Sequence, residues 1–244
     1  MDVHYSIAVG QWQLPAPPPD DIIATMNDTL ILASNSPRRQ ALLKSLKLDF
    51  SVDSADVDET SLAGEAPDVL VCRLCRAKAQ AVAERHPGAP ILAADTVVAL
   101  EGGLLGKPAG PAEAKAMLRA LRDRTHQVYT AVCVAAGGEL RSGLSISHVT
   151  MRPYSDEEIG AYVDSGDPLD KAGAYAIQHS RFSPVARWEG CYSSIMGLPL
   201  RLAADLLADA GIAVPENVAA ACERLSSAAC CARRDPPTVE RSNV

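Results

Sequence analysis

The chain has 244 residues, 48% of them hydrophobic and only 4% aromatic, with a formal net charge of −7. That length and apolar content suffice for a core built on Ala, Leu and Val. The scarcity of rings argues against a stacking platform for single-stranded nucleic acid, and the acidic balance argues against duplex binding.

Residues 1–28 read as an N-terminal extension, because Leu14-Pro15-Ala16-Pro17-Pro18-Pro19-Asp20-Asp21 favours an unpacked, disordered backbone. The same stretch lacks the basic start of a secretion signal, and no apolar run reaches the roughly 18 residues of a membrane span. Seven scattered cysteines suit reduced thiols, so a cytoplasmic protein without a membrane or nucleic-acid partner is expected. The folded domain is expected over 29–211. It opens on Leu30-Ile31-Leu32-Ala33, a strand-length apolar run, followed by Ser34-Asn35-Ser36 as turn and cap chemistry and Pro37 at the first helical position. Ala41, Leu42, Leu43 and Leu46 continue the helix and place Arg38 and Arg39 in its first turn. A helix start carries partial positive charge, so two cations there are unfavourable unless an anion joins them. Free N–H groups, hydroxyls and two guanidinium forks at one point suit a phosphate.

Phe50-Ser51-Val52-Asp53-Ser54 alternates as a second strand and leads into Asp56-Val57-Asp58-Glu59, where three carboxylates within four positions make a candidate cation site. The spacing of Leu70, Leu74, Ala77 and Ala81 predicts a helix over 66–86. On that helix Lys78 reads, by itself, as solvated, and Cys72-x-x-Cys75 as a buried thiol beside an exposed one rather than half of a metal site. Ile91 to Leu100 is an apolar strand covered on both faces and interrupted by Asp95-Thr96. A carboxylate in such a strand must be paired, metal-bound or shifted in pKa, which marks Asp95 as a candidate base or metal ligand.

A hairpin at Glu101-Gly102-Gly103 leads to Lys107, displayed between Gly106 and Pro108. A helix follows over 111–122, then two antiparallel strands over 125–134 and 140–150 joined at Gly137-Gly138; His126 reads as a structural or surface histidine. Ser155 and Glu158 form a capping box for a helix over 155–164. Leu169 to Gln178 reads as charged and small residues entering a short strand, whose terminal amide is able to pair with a base edge. Another strand is expected over 180–189, a turn over 192–196 and a last helix over 198–210. Residues 212–244 form a C-terminal extension with a helix near 216–228 and a poorly ordered tail.

Taken together, Ser34-Asn35-Ser36-Pro37-Arg38-Arg39, Asp58-Glu59, Lys78, Ala94-Asp95-Thr96, Gly106-Lys107-Pro108, Thr125-His126-Gln127-Val128, Asp170-Lys171-Ala172-Gly173-Ala174-Tyr175 and Gly197-Leu198-Pro199 resemble the Maf family of nucleotide pyrophosphatases. The resemblance implies an α/β architecture: a two-lobed fold, of the Maf and inosine-triphosphatase kind, around a long mixed β-sheet with a central cleft. It implies hydrolysis of a nucleoside triphosphate to the monophosphate and pyrophosphate with a divalent metal, Mg²⁺ or Mn²⁺, and a homodimer. Asp-Lys-Ala-Gly-Ala-Tyr looks like the branch acting on dTTP and UTP; the alternatives are a 7-methyl-GTP or purine pyrophosphatase, and a non-hydrolysing nucleotide-binding regulator of cell division. The family pattern makes Asp95 the general base. Ser34, Arg39, Lys78 and Lys107 correspond to phosphate contacts, and Arg38, Thr96 and Gln178 to positions that set substrate choice. Asp58 or Glu59 joins Asp95 at the metal. The chain departs from the family after Gln178, where His179-Ser180-Arg181-Phe182 stands in place of Gly-x-Gly.

Overall fold

The computed structural model describes residues 5–10, 29–226, 230 and 240–241. In chain order these form strand β1 (Tyr5–Gly10), β2 (Leu30–Leu32), helix α1 (Pro37–Lys44), β3 (Phe50–Val52), α2 (Pro67–Arg85), β4 (Ile91–Leu100), β5 (Gly103–Leu105), α3 (Pro111–Leu121), β6 (Thr125–Ala136), β7 (Glu139–Met151) and α4 (Asp156–Asp164). Two short 3-10 turns follow at Asp167–Asp170 and Ala172–Ala174, then β8 (Val185–Glu189), α5 (Tyr192–Ile195), α6 (Leu200–Asp209), α7 (Val218–Ser226) and β9 (Glu240–Arg241). The sheet runs β3-β2-β4-β6-β7-β1-β9, with β5 beside β4 and β8 beside β7. It is mixed: β2 lies parallel to β3 and β4, whereas β4 and β6, and β6 and β7, pair antiparallel. The direction of pairing changes at β4, and β9 returns to a parallel pairing with β1 at the far edge.

The apolar runs of β2 and β4 are continuous because both faces are covered. Leu30, Leu32, Leu92 and Ala94 face one core with Leu42, Leu43, Leu198 and Leu206 from α1, α6 and the turn before it. The alternate residues Ile31, Ala33, Ile91 and Ala93 face a second core under α2, with Val71, Cys75 and Val82. A third core forms at the far end of β4 and β6, where Val98, Val128, Leu118, Tyr154, Ile159, Tyr175 and Phe182 bury one another beneath α3 and α4. The third core supports one lobe and the first two support the other. No helix among the described residues is long and apolar enough to cross a membrane.

Four stretches differ from the sequence expectation. Within the N-terminal extension, Tyr5–Gly10 pairs antiparallel with β7, from Tyr5 opposite Ser145 to Gly10 opposite Leu140; β8 occupies only the far end of that edge and leaves N–H and C=O groups for another strand to take. Residues 11–28, and the tail beyond 230 except for β9, lie outside the described residues. The expected strand over 169–178 is instead the pair of 3-10 turns, because Gly173 (φ +68°) and Ala174 (φ +57°) turn left-handed and Lys171 folds back onto Asp167 and Asp170. A side chain at Gly173 would also press on Val98, whose Cγ1 would lie 3.1 Å from the added Cβ. The strand expected over 180–189 starts only at Val185, and the turn over 192–196 is the single helical turn α5.

Candidate active site

Between the lobes lies a cleft of about 650 Å³, lined among others by Ser34, Arg38, Arg39, Glu59, Lys78, Asp95, Thr96, Lys107 and Gln178. Of the three carboxylates of the acidic loop, Glu59 alone belongs to this lining; Asp56 and Asp58 are exposed outside it, and Asp58 Oδ1 accepts from the Thr60 N–H at 2.9 Å. The cleft opens at the C-terminal end of β2 beside β4, the place where a strand order that reverses direction leaves room for a ligand.

The N-terminus of α1 forms one wall. Ser36 caps the helix, its hydroxyl accepting from the Arg39 N–H, and Pro37 occupies the first turn without a wasted donor. Arg39 does not project freely. Its Nε donates to the Gly197 carbonyl at 2.9 Å, Nη1 to Ser34 Oγ at 3.2 Å and Nη2 to Thr96 Oγ1 at 3.2 Å. Burial lowers its pKa, opposed by Asp95, and its three hydrogen bonds tie α1 to β4, to Ser34 after β2 and to the turn before α6. Arg38 points to the opposite lobe, where its Nη1 lies 3.4 Å from the Asp170 carboxylate.

The floor is the ion pair of Asp95 and Lys78, both buried, with 2.5 Å between Nζ and Oδ1. Lys78 is not the solvated residue its helix position suggests. Its ammonium also meets Glu59 Oε1 at 2.6 Å. Burial works against the charge on Lys78, but Asp95 and Glu59 outweigh it and hold its pKa above that of an ordinary lysine. Glu59 is the reciprocal case: partial burial pushes its pKa up, and Lys78, helped by the more distant Lys107 and Arg39, brings it below the usual carboxylate value. Lys107, exposed on its stiff loop, faces the same carboxylate at 3.9 Å. Asp95 from β4 and Glu59 from the acidic loop thus converge on the Lys78 ammonium, and these are carboxylates from which a hard divalent cation could take one or two protein oxygens, completing its shell with phosphate and water. Asp58 faces elsewhere, and no group of three or more His, Cys, Asp or Glu side chains comes together for a metal among the described residues.

Gln178 is exposed at the cleft, following the buried run Gly173 to Ala176. The loop beyond it is closed by its own residues: the Phe182 N–H donates to His179 Nδ1 at 3.0 Å, and the Phe182 ring stacks on Tyr162 at 4.4 Å. Tyr162 in turn accepts from the Ala176 N–H at 3.1 Å and donates to Asp167 at 2.7 Å. His126 is the structural histidine the sequence suggests. It is buried, its Nε2 lies 2.8 Å from the Tyr175 hydroxyl, and burial lowers its pKa to about 4. Cys75 is buried and Cys72 partly exposed, both as free thiols.

Sequence reasoning passed over two features of this site. Asp170 sits within the recognised block, held by Lys171, yet its place opposite Arg38 emerges only from a contact spanning 132 residues. Thr130 lies behind the cleft wall, bonded to Thr96, and a threonine in a β-strand carries no signal beyond its preference for strands.

A family model described as Maf-like protein matches residues 29–210. A protein of Myxococcus xanthus named dTTP/UTP pyrophosphatase is 52% identical over 186 residues, covering 76% of this chain and 94% of the relative. Proteins of the same name from Thermomicrobium roseum and Cupriavidus metallidurans are 49% and 48% identical, with 86% and 99% of their lengths and 76% and 77% of this chain covered.

Proposed function

The chain belongs to the Maf-like protein family, and from that membership we propose that it hydrolyses dTTP and UTP to the nucleoside monophosphate and pyrophosphate. The observation that carries the chemistry is the buried Asp95 carboxylate held against Lys78 on the floor of a cleft whose walls carry Arg38, Arg39 and Lys107. In this reading water attacks the α-phosphorus, the bond to the bridging oxygen of the β-phosphate breaks, and Asp95 takes the proton of the attacking water. Ser34, Arg39, Lys78 and Lys107 meet the phosphates and neutralise charge that grows on the departing pyrophosphate. Arg38, Thr96 and Gln178 face the rest of the nucleotide and set which one is accepted.

Glu59 and Asp95 would hold a divalent cation, Mg²⁺ or Mn²⁺. When bound, it supplies further neutralisation of the phosphate oxygens. Asp58 has no part in that set, given its place outside the cleft. The same reading carries a cytoplasmic location and a homodimer, the second of which sedimentation of the purified chain tests.

The deciding experiment measures pyrophosphate and phosphate release from dTTP, UTP, CTP, GTP and 7-methyl-GTP, for wild type and Asp95→Asn. Pyrophosphate from dTTP and UTP is expected, reduced about 10²- to 10⁴-fold in the variant with its fold retained, the loss usual for a missing general base. Full activity in Asp95→Asn would remove the base assignment, and release of single phosphates would remove the reaction.

A further inference from the structure

Behind the cleft wall a short relay of hydrogen bonds fixes the direction of a single proton. Thr96 on β4 and Thr130 on β6 are direct cross-strand partners, and their hydroxyl oxygens lie 3.0 Å apart. Either hydroxyl is able to donate in such a pair, so the contact alone leaves the direction open. The groups at each end close it. Thr130, fully buried, lies 2.9 Å from the Ser194 carbonyl oxygen, which only accepts, so the Thr130 proton is committed there. The bond to Thr96 must then carry the Thr96 proton. On its other side Thr96 Oγ1 receives Nη2 of Arg39, a guanidinium with donors only. The Thr96 hydroxyl therefore has no proton left for a ligand; what it offers the cleft is one lone pair.

We propose that Thr130 is a positioning residue that makes Thr96 a pure hydrogen-bond acceptor toward the cleft, so that Thr96 selects a nucleotide with an N–H donor at position 3 of its pyrimidine ring. The proposal rests on the reading of the site as a dTTP and UTP pyrophosphatase and adds a reason for the choice. Phosphate oxygens, which only accept, gain nothing from such a hydroxyl. Thymine and uracil both carry an imide N–H, whereas cytosine presents a bare ring nitrogen at the same position. A lone pair against a lone pair leaves both unpaired in a partly desolvated cleft, which costs more than a missing contact in water.

The relay is separable from the fold. Ser194 O also accepts from the Gly197 N–H at 2.9 Å, so it keeps a partner when the Thr130 hydroxyl is removed. Thr130→Val preserves shape, deletes the hydroxyl and frees the Thr96 proton to turn toward the cleft, where it meets the ring nitrogen of cytosine. Thr130→Ser keeps the hydroxyl and the relay.

The test measures kcat and KM for UTP and CTP in wild type, Thr130→Val and Thr130→Ser, each checked by circular dichroism and thermal melting. The expected result is a shift of the CTP to UTP ratio of kcat/KM toward CTP by roughly fivefold to tenfold in Thr130→Val, the scale of one hydrogen bond, with Thr130→Ser matching wild type. A ratio in folded Thr130→Val equal to that of wild type, or a shift of the same size in Thr130→Ser, would overturn it. Thr130→Ala, which deletes the same hydroxyl and leaves a small gap, replaces the valine variant if that one does not fold. Absence of pyrophosphate from every nucleotide with wild type would instead remove the activity reading. The relay is then judged by calorimetric affinities for UMP and CMP in the same proteins, where an unchanged ratio again overturns it.

Discussion

Lys78 reaches from the middle of α2 to Asp95 at 2.5 Å and Glu59 at 2.6 Å, with about a tenth of its side chain exposed. Removing the ammonium leaves Asp95 buried without a counter-charge, which is among the costlier single changes a protein meets. Lys78→Met is expected to lower stability by about 3 kcal/mol, read from urea unfolding. Adding Asp95→Asn should then recover much of that loss, since a neutral amide no longer needs the partner. Strict additivity of the two changes would show that the pair does not interact in the folded state. Asp95 was legible in the sequence because a charge inside a doubly covered strand demands an explanation. Lys78 was legible only through the family pattern, because on a helix of apolar and charged residues a lysine looks the same whether it faces water or a carboxylate on another strand. Thr96 stood out as the neighbour of Asp95 and, through the family pattern, as a position that sets substrate choice, but the proton direction that governs it depends on a carbonyl 98 positions away, at Ser194.

Elements with local grammar were readable and those without it were not. Ser36 with Pro37, and Ser155 with Glu158, announce helix starts through bonds made within three residues, and both caps form in the structure. The β6–β7 hairpin likewise follows from alternation around Gly137-Gly138. The stretch from Leu169 to Gln178 misleads because Tyr175, Ala176 and Ile177 look strand-like while the deciding features are a left-handed Gly173 and a lysine that folds back on its own loop. Gly173→Ala tests how far that turn holds the exposed Gln178 in place. An alanine must adopt φ +68° and push on Val98, with an expected cost of about 1 to 2 kcal/mol. The KM for dTTP should rise more than kcat falls, because the turn positions the nucleotide rather than the reacting water. A variant with wild-type KM and melting temperature would show that the loop holds Gln178 by other means.

At the scale of the whole molecule, one contribution to acid sensitivity comes from His126, the only buried histidine among the described residues. The unfolded chain binds a proton at His126 near pH 6.5, whereas burial lowers the folded value to about 4. Between those two values the unfolded state holds more protons, so stability falls as pH drops from 6.5 toward 4 and is unaffected by this group above that window. The full effect is about 3 kcal/mol, and His126→Gln should flatten this part of the profile in unfolding measured from pH 7 to 4. An unchanged slope would place the acid sensitivity in the carboxylates instead. The sheet itself carries a consequence for time. β6 and β7 close around a two-residue connection, and twelve successive pairs form with no distant partner needed. The cleft draws on residues 34–39, 59, 78, 95, 107 and 178 and needs β2, β4 and both lobes in place. Local contacts form early and distant ones late, so the hairpin is a seed and the cleft a final act of assembly. A nucleotide that fits only the finished cleft then acts as a latch on the last step, holding together the parts of the chain that meet last.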